Sequence, residues 1–194
     1  SLNNQATLYL LRAKDSGAEE LWKAAQDLWS KTRGPEDPRV VVALTNLAAM
    51  DIYLARYGDA SSRLEQAMEI LGKTLAEESP ARAATLSAYA QLYTARGRSL
   101  RAQPLAQQAL LLAEKSLGEQ HPALAPVLDG LAVVYVDQRL CAKACPYALR
   151  ALAAARDGFG PQHPYTATTL HHLAILTQRF GLIQMLLPQC QDRQ

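Results

Sequence analysis

The chain has 194 residues, of which 49% are hydrophobic and 20% charged, and its formal net charge is +2 at pH 7. This length suits one globular domain or a short solenoid, and the apolar content argues against global disorder. A net charge near zero gives no electrostatic reason to expect nucleic acid or an anionic membrane as a partner, and the sequence contains neither a membrane-spanning apolar run nor a signal-peptide pattern at its start.

A 42-residue period runs through the chain. Four prolines, Pro38, Pro80, Pro122 and Pro164, are spaced by this interval. Two further columns keep the same spacing: Leu2, Leu44, Leu86, Leu128 and Leu170, and Ala6, Ala48, Ala90, Ala132 and Ala174. A fixed period in this range indicates a repeat architecture.

In chain order, the period predicts five units: a partial unit at 1–37, full units at 38–79, 80–121 and 122–163, and a partial unit at 164–194. Leu44 lies six residues after Pro38, so the matching Leu2 falls inside a helix whose opening is missing. The last unit ends in a short apolar run at 182–187. Because solenoids normally carry polar caps, these ends predict either a fragment of a longer protein or ends that stack against a second copy or a partner.

Each full unit is predicted to be a helical hairpin. In the unit that begins at Pro38, apolar residues such as Val41, Leu44 and Leu47 recur at helical rather than alternating spacing. A break follows at 56–59, and a second helical run comes after it. The chain is therefore predicted to be all-α, a solenoid of antiparallel helical hairpins with about four and a half repeats.

The unit boundaries carry helix-capping residues. Asp37 and Ser79 stand immediately before two of the prolines, where a side-chain oxygen can accept from the free amides of a helix start. His121 and His163 occupy the same column and are expected to cap less well. A second column precedes it: Gly34, Ala76, Gly118 and Gly160. Glycine in that column can close the preceding helix in a left-handed turn.

Alanine recurs inside the hairpins in two more columns: Ala18, Ala60, Ala102 and Ala144, and Ala25, Ala67, Ala109 and Ala151. The three alanine columns lie 12 and then 7 residues apart, and this spacing resembles the tetratricopeptide repeat (TPR). The usual TPR has about 34 residues, so 42 residues suggest roughly one additional turn in each helix. The closer resemblance is to the long repeats of kinesin light chains, carried by the residues Leu2-Asn3-Asn4-Gln5-Ala6, Leu8-Tyr9 and the stretch from Ala113 to Pro122. Asp51 departs from that pattern, which has tyrosine there.

The resemblance implies a right-handed TPR superhelix whose first helices line a concave groove. Its partner-binding positions would be Asn3, Asn4, Thr45, Asn46, Ala49, Ile52, Tyr53, Ser87, Gln91, Asp129, Val133 and His171. These residues mix amides, hydroxyls and aliphatic groups, and amides can bond the backbone of an extended peptide through both donor and acceptor. Relatives that bind chaperone tails use a lysine-containing carboxylate clamp, and the matching positions here have no lysine, so acidic chaperone tails are not expected.

Candidate catalytic chemistry is sparse. His171 and His172 are adjacent, and neighbouring residues on a helix point about 100° apart, so the pair is poorly placed to hold one metal. The basic stretch at 96–101 lacks the aromatic residues of a nucleic-acid surface and is predicted to be a solvated turn. No phosphate-binding loop, nucleophile elbow or zinc-binding histidine pair is present. We therefore predict no enzymatic activity, no cofactor and no metal.

The three cysteines are an odd number, which argues against a disulfide framework. Cys141 and Cys145 are four residues apart, with no second Cys or His pair nearby at zinc-site spacing. We expect them to be buried thiols, and we predict a cytoplasmic location.

Three functions remain open from the sequence. The first is an adaptor that binds a partner peptide or helix in the concave groove, with no nucleic-acid partner and no membrane insertion. The second is a structural scaffold that self-associates through its open ends. The third is the regulatory arm of a larger multidomain protein, whose catalytic motifs would lie outside these 194 residues.

Overall fold

The structure, a computed structural model, describes residues 15–73 and 79–180. Within these ranges it contains eight α-helices, one short 3₁₀ helix and no strand: α1 (Asp15–Arg33), α2 (Pro38–Tyr53), α3 (Tyr57–Lys73), α4 (Pro80–Ala95), α5 (Ser99–Leu117), the 3₁₀ helix (Pro122–Leu124), α6 (Ala125–Asp137), α7 (Cys141–Phe159) and α8 (Pro164–Phe180). The prediction of an all-α chain is confirmed.

The helices pair in sequence as hairpins: α2 with α3, α4 with α5, and α6 with α7. Only three residues connect the two helices of each pair, which makes them antiparallel neighbours. Helix α1 is the second helix of the first unit, and α8 is the first helix of the last. The array is an α-solenoid of antiparallel helical hairpins, as predicted. Leu2 and the run at 182–187 lie outside the described residues, so stacking through the ends stays a prediction.

Side chains cap the helix starts at the prolines. The carboxylate of Asp37 accepts from the amide of Arg39 at 2.9 Å, and the Ser79 hydroxyl accepts from Arg82 at 3.2 Å. His121 and His163 also cap: each Nδ1 accepts a backbone amide two residues later, at 3.1 Å in both cases. The histidines are therefore better caps than the sequence suggested, because an imidazole nitrogen replaces the usual oxygen.

The fourth unit begins with a 3₁₀ turn instead of a full α-helical turn. Pro126 has no amide to bond the carbonyl of Pro122, as an α-helix starting there would require. The amide of Ala125 bonds that carbonyl instead, which gives the tighter i to i+3 pattern.

The alanine columns lie where neighbouring helices touch. In the three full units, all nine alanines of these columns are at most 3% exposed. Larger side chains there would force the helices apart, and overpacking costs about 1–3 kcal/mol per site. The predicted role of these columns in close helix approach is confirmed for these units.

A buried carboxylate replaces the tyrosine of the related pattern at Asp51. Its side chain is 1% exposed, and Oδ2 accepts from Nε of Arg63 at 2.7 Å. Oδ1 lies 2.8 Å from Nη2 of Arg56 but without hydrogen-bond alignment, so this contact is an ion pair. Arg56 also donates to Glu19 of α1 at 3.1 Å. One charge network therefore joins the first unit to both helices of the second.

The cysteines differ from each other. Cys141 is a free, buried thiol, and burial raises its pKa. Cys145 is buried but disulfide-bonded, so the expectation of two plain thiols is wrong for Cys145. The cytoplasmic location, which rested partly on that expectation, stays a prediction. Across the described ranges, no group of three or more His, Cys, Asp or Glu side chains could hold a metal, and no helix is long and apolar enough to cross a membrane.

The turn inside each hairpin uses a left-handed residue in the same column. Ala55, Gly97 and Arg139 have φ values of 58°, 68° and 60°. Only glycine adopts this conformation without a steric cost, which is about 1–2 kcal/mol for other residues.

We therefore expect Ala55→Gly to raise the free energy of unfolding by about 0.5–1 kcal/mol and Gly97→Ala to lower it by a similar amount. Urea denaturation of the two variants beside the wild type measures both effects. Changes of the same sign in the two variants would contradict the shared turn conformation.

Candidate partner-binding groove

The first helices of successive units form the inner layer of the array. Helices α2, α4, α6 and α8 contact one another in order, whereas the second helices contact chiefly the first helices around them. Because the first helices contact one another and the second helices do so much less, the array curves, with the first helices on its concave face. We call this face the groove.

Three of the predicted groove residues, Thr45, Ser87 and Asp129, are buried, and the first two lie between first helices. Thr45 lies with its hydroxyl 3.0 Å from that of Thr85. Because Thr85 already donates to the carbonyl of Ala81, the Thr45 hydroxyl is the donor of this pair. Ser87 is 7% exposed. Thr45 joins α2 to α4 and Ser87 lies beside Gly130 of α6, and in the part of the chain that the structure describes neither residue lines a cavity of the groove. Asp129 is equally buried but lines a cavity.

The other predicted residues of α2 differ in exposure. Asn46 and Ala49 are half-buried, and Ile52 packs against the core between the second and third units. Tyr53 is 76% exposed at the end of the helix. Asn3 and Asn4 lie outside the described residues.

Three of the predicted residues, Gln91, Asp129 and Val133, line one cavity of about 430 Å³ between α4, α6 and α8. We call it cavity A. Its lining in the described part of the chain is Gln91, Thr94, Ala95, Pro126, Asp129, Gly130, Val133, Tyr165 and His172. Cavity A is therefore built by the first helices of three successive units.

A smaller cavity of about 250 Å³ adjoins it, and we call it cavity B. The two cavities share Val133 and His172. The remaining lining of cavity B is Ala132, Val136, Asp137, Ala148, Ile175 and Leu176. Cavity B is thus mainly aliphatic.

An ion pair connects α6 and α8 at the junction of the two cavities. Nδ1 of His172 lies 2.9 Å from each carboxylate oxygen of Asp129. The hydrogen bond to Asp129 raises the pKa of His172, against the opposing effect of burial. Burial, with a smaller contribution from the Asp129 charge, raises the pKa of Tyr165. Among the described residues, no hydrogen bond joins His172 to a serine or cysteine.

His171 is the histidine predicted to line the groove, with His172 beside it. In the structure His172 lines both cavities, whereas His171 is exposed and lines neither. His172 belongs to the column two residues after the recurrent leucine, with Asn46 and Gly130, and the resemblance to the TPR implies that this column also faces the groove. No sequence signal indicates Tyr165, because no periodic column contains it.

The raised pKa of His172 predicts a pH-dependent contribution to stability. A basic group whose folded-state pKa is raised stabilises the fold below its ordinary pKa of about 6.5, and this contribution disappears as the pH rises through the folded-state pKa. We expect the stability advantage of the wild type over His172→Gln to be larger near pH 6 than near pH 8.5. Urea denaturation at both pH values measures it, and an advantage that grows with pH would contradict the ion pair.

The geometry agrees with the comparisons. The sequence model of the tetratricopeptide repeat matches residues 1–73, 81–144 and 130–184. The chain belongs to the tetratricopeptide repeat family. Two of its solved structural neighbours are kinesin-light-chain-like proteins, and its 42-residue repeats are of that type.

One neighbour is the Podosopora anserina putative kinesin light chain with nearly identical TPR-like repeats. It is 26% identical, with a TM-score of 0.65 over 98% of this chain and 92% of that one. A single-substitution variant of that protein gives 25% identity and the same TM-score, over 98% and 90% of the two chains. BtubC (BKLC) from P. vanneervenii has a TM-score of 0.68 over 97% of this chain and 74% of its own, and at 24% identity it shares the fold alone. No curated protein matches the chain.

Proposed function

We propose that the chain is a non-catalytic adaptor that holds a partner segment in the groove. Repeats of this family generally mediate protein–protein interaction, and helical arrays present extended concave surfaces for it. The observation that carries the proposal is cavity A, where three successive first helices leave a recess with an exposed amide, Gln91, on its wall.

The groove suits an extended segment of polypeptide. Gln91 and Asn46 can both donate to and accept from a peptide backbone. Cavities A and B are side-chain-sized recesses along the same face. If the segment is disordered before binding, a micromolar Kd is expected, or about −8 kcal/mol. A cytoplasmic location belongs to the same proposal.

A peptide selected from a random library on the whole chain tests the proposal. We expect the double variants Asn46→Ala/Tyr53→Ala and Gln91→Ala/Val133→Ala each to weaken its binding about tenfold, because they remove groove contacts that are worth about 1.4 kcal/mol together. Fluorescence anisotropy measures Kd, and circular dichroism checks that helicity is unchanged.

The matched control is Gln108→Ala/Leu111→Ala, two exposed residues of α5 on the opposite face. It should bind like the wild type. Unchanged affinity in both groove variants, or a loss confined to the control, would remove the groove as the binding surface.

A further inference from the structure

The fixed charges on the walls of the two cavities are all negative. The titratable side chains that line them are the carboxylates Asp129 and Asp137, with His172 and Tyr165. No lysine or arginine lines either cavity in the part of the chain that the structure describes. Among fixed charges, this section of the groove therefore offers only negative ones.

Asp129 can accept more hydrogen bonds than it does in the structure. Asp129 is 8% exposed. Within the described ranges its only hydrogen-bond partner is Nδ1 of His172, which contacts both carboxylate oxygens. An ionised carboxylate can accept about four hydrogen bonds. A carboxylate shielded from water binds a charged donor more strongly than a neutral one.

One positive charge is enough to neutralise the Asp129 carboxylate. When His172 is neutral, Asp129 leaves a net charge of −1, and when His172 is protonated the pair is neutral. Tyr165 adds no charge near neutral pH, because its pKa is raised. A proton on His172 and a positively charged side chain of the partner would therefore neutralise the same Asp129 carboxylate, so the two compete.

Asp137 adds a second negative charge on the wall of cavity B, where its carboxylate accepts a hydrogen bond from the Ser99 hydroxyl. Asp129 and Asp137 come from α6, and Tyr165 and His171 belong to α8 itself. Helices α4 and α7 contribute only uncharged side chains to the cavities: Gln91, Thr94, Ala95 and Ala148.

We propose that the groove selects a partner segment with a lysine or arginine in cavity A and an aliphatic side chain in cavity B. The alkyl stem of the basic residue would lie against Val133, Ala95 and Pro126, and its charged end would reach Asp129. Alternate residues of an extended chain point to the same side, about 7 Å apart, which suits two cavities that share Val133. This inference rests on the proposed function.

Short peptides test the charge preference. The probes are acetylated, amidated pentapeptides with lysine and leucine two residues apart, in either order, with serine or threonine elsewhere. In matched peptides, norleucine or glutamate replaces the lysine. NMR titration of the whole chain gives each Kd, and we expect the lysine peptides to bind about tenfold more tightly than both replacements.

Variants of Asp129 and His172, with a control variant on the outer helix α7, test the roles of these residues. Asp129→Asn should reduce the lysine preference to about threefold or less, because the amide carries no charge. Asp157→Asn, on the outer helix α7, should leave the preference unchanged. In the wild type the lysine peptides should bind more tightly at about pH 8 than at about pH 6, and His172→Gln, which keeps a donor to Asp129, should abolish this dependence.

Tighter binding of the glutamate peptide would overturn the inference, as would a lysine preference that survives Asp129→Asn in a folded variant. If peptides of another charge bind and shift the resonance of Gln91, the groove still binds partners and only the charge preference is wrong. If no peptide binds, or if binding shifts only residues of the outer helices, both the inference and the proposed function fail.

Discussion

Replacement of Asp51 by alanine is expected to lower the free energy of unfolding by about 2–3 kcal/mol. Removing one partner of a fully buried ion pair costs about 3–5 kcal/mol. We expect a smaller loss here because Arg56 and Arg63 keep side-chain exposures of 37% and 22% and can rehydrate. The loss should spread to the first unit, since Arg56 also binds Glu19. Urea denaturation followed by circular dichroism measures the free energy.

Glu69→Ala is the matched control, because it also removes a carboxylate that forms an ion pair, with Lys73, but an exposed one. Such pairs are worth about 0.3–0.5 kcal/mol. Equal losses in the two variants would mean that burial at Asp51 adds nothing to its ion pairs.

Gly158→Ala is expected to destabilise the fourth unit by about 1–3 kcal/mol, although alanine is the better helix former. A Cβ at this position in α7 would overlap Cβ of Pro122 and lie 3.4 Å from its Cγ. Relief requires the 3₁₀ turn at Pro122 to move away from α7, because the obstructing atoms belong to the proline ring, which cannot rotate aside.

Gly72→Ala is expected to change the free energy of unfolding in the opposite direction. Gly72 is also helical, in α3, but no atom lies within 4 Å of its added Cβ. Alanine there should stabilise the chain by about 0.5–1 kcal/mol. A gain in both variants, read from urea denaturation, would contradict the close approach of Pro122 and Gly158.

The sequence predicts the repeat and its register because proline and alanine have position-specific geometric reasons to recur. Proline fits the first turn of a helix, and alanine is needed where helices touch. These two signals place the hairpins where the structure has them. The groove positions Gln91, Asp129 and Val133 came from the resemblance to the TPR, and their part in binding stays a prediction.

Contacts between elements are harder to predict. Asp51 is visible as a departure from the related pattern, but its partner Arg63 lies 12 residues away on the next helix. The burial of Thr45 depends on how closely α2 approaches α4. His171 and His172 point about 100° apart on one helix, so a small rotation of α8 decides which of them faces the cavities.

Photo-cross-linking tests the central claim, that a partner binds the concave face, most directly. A benzophenone side chain is placed at Gln91 in cavity A or at Leu111 on the outer helix α5, both of them exposed. Each protein is irradiated with the peptide selected on the wild-type chain. The account predicts a cross-linked product from position 91 and none from position 111. A product from position 111 alone would contradict it.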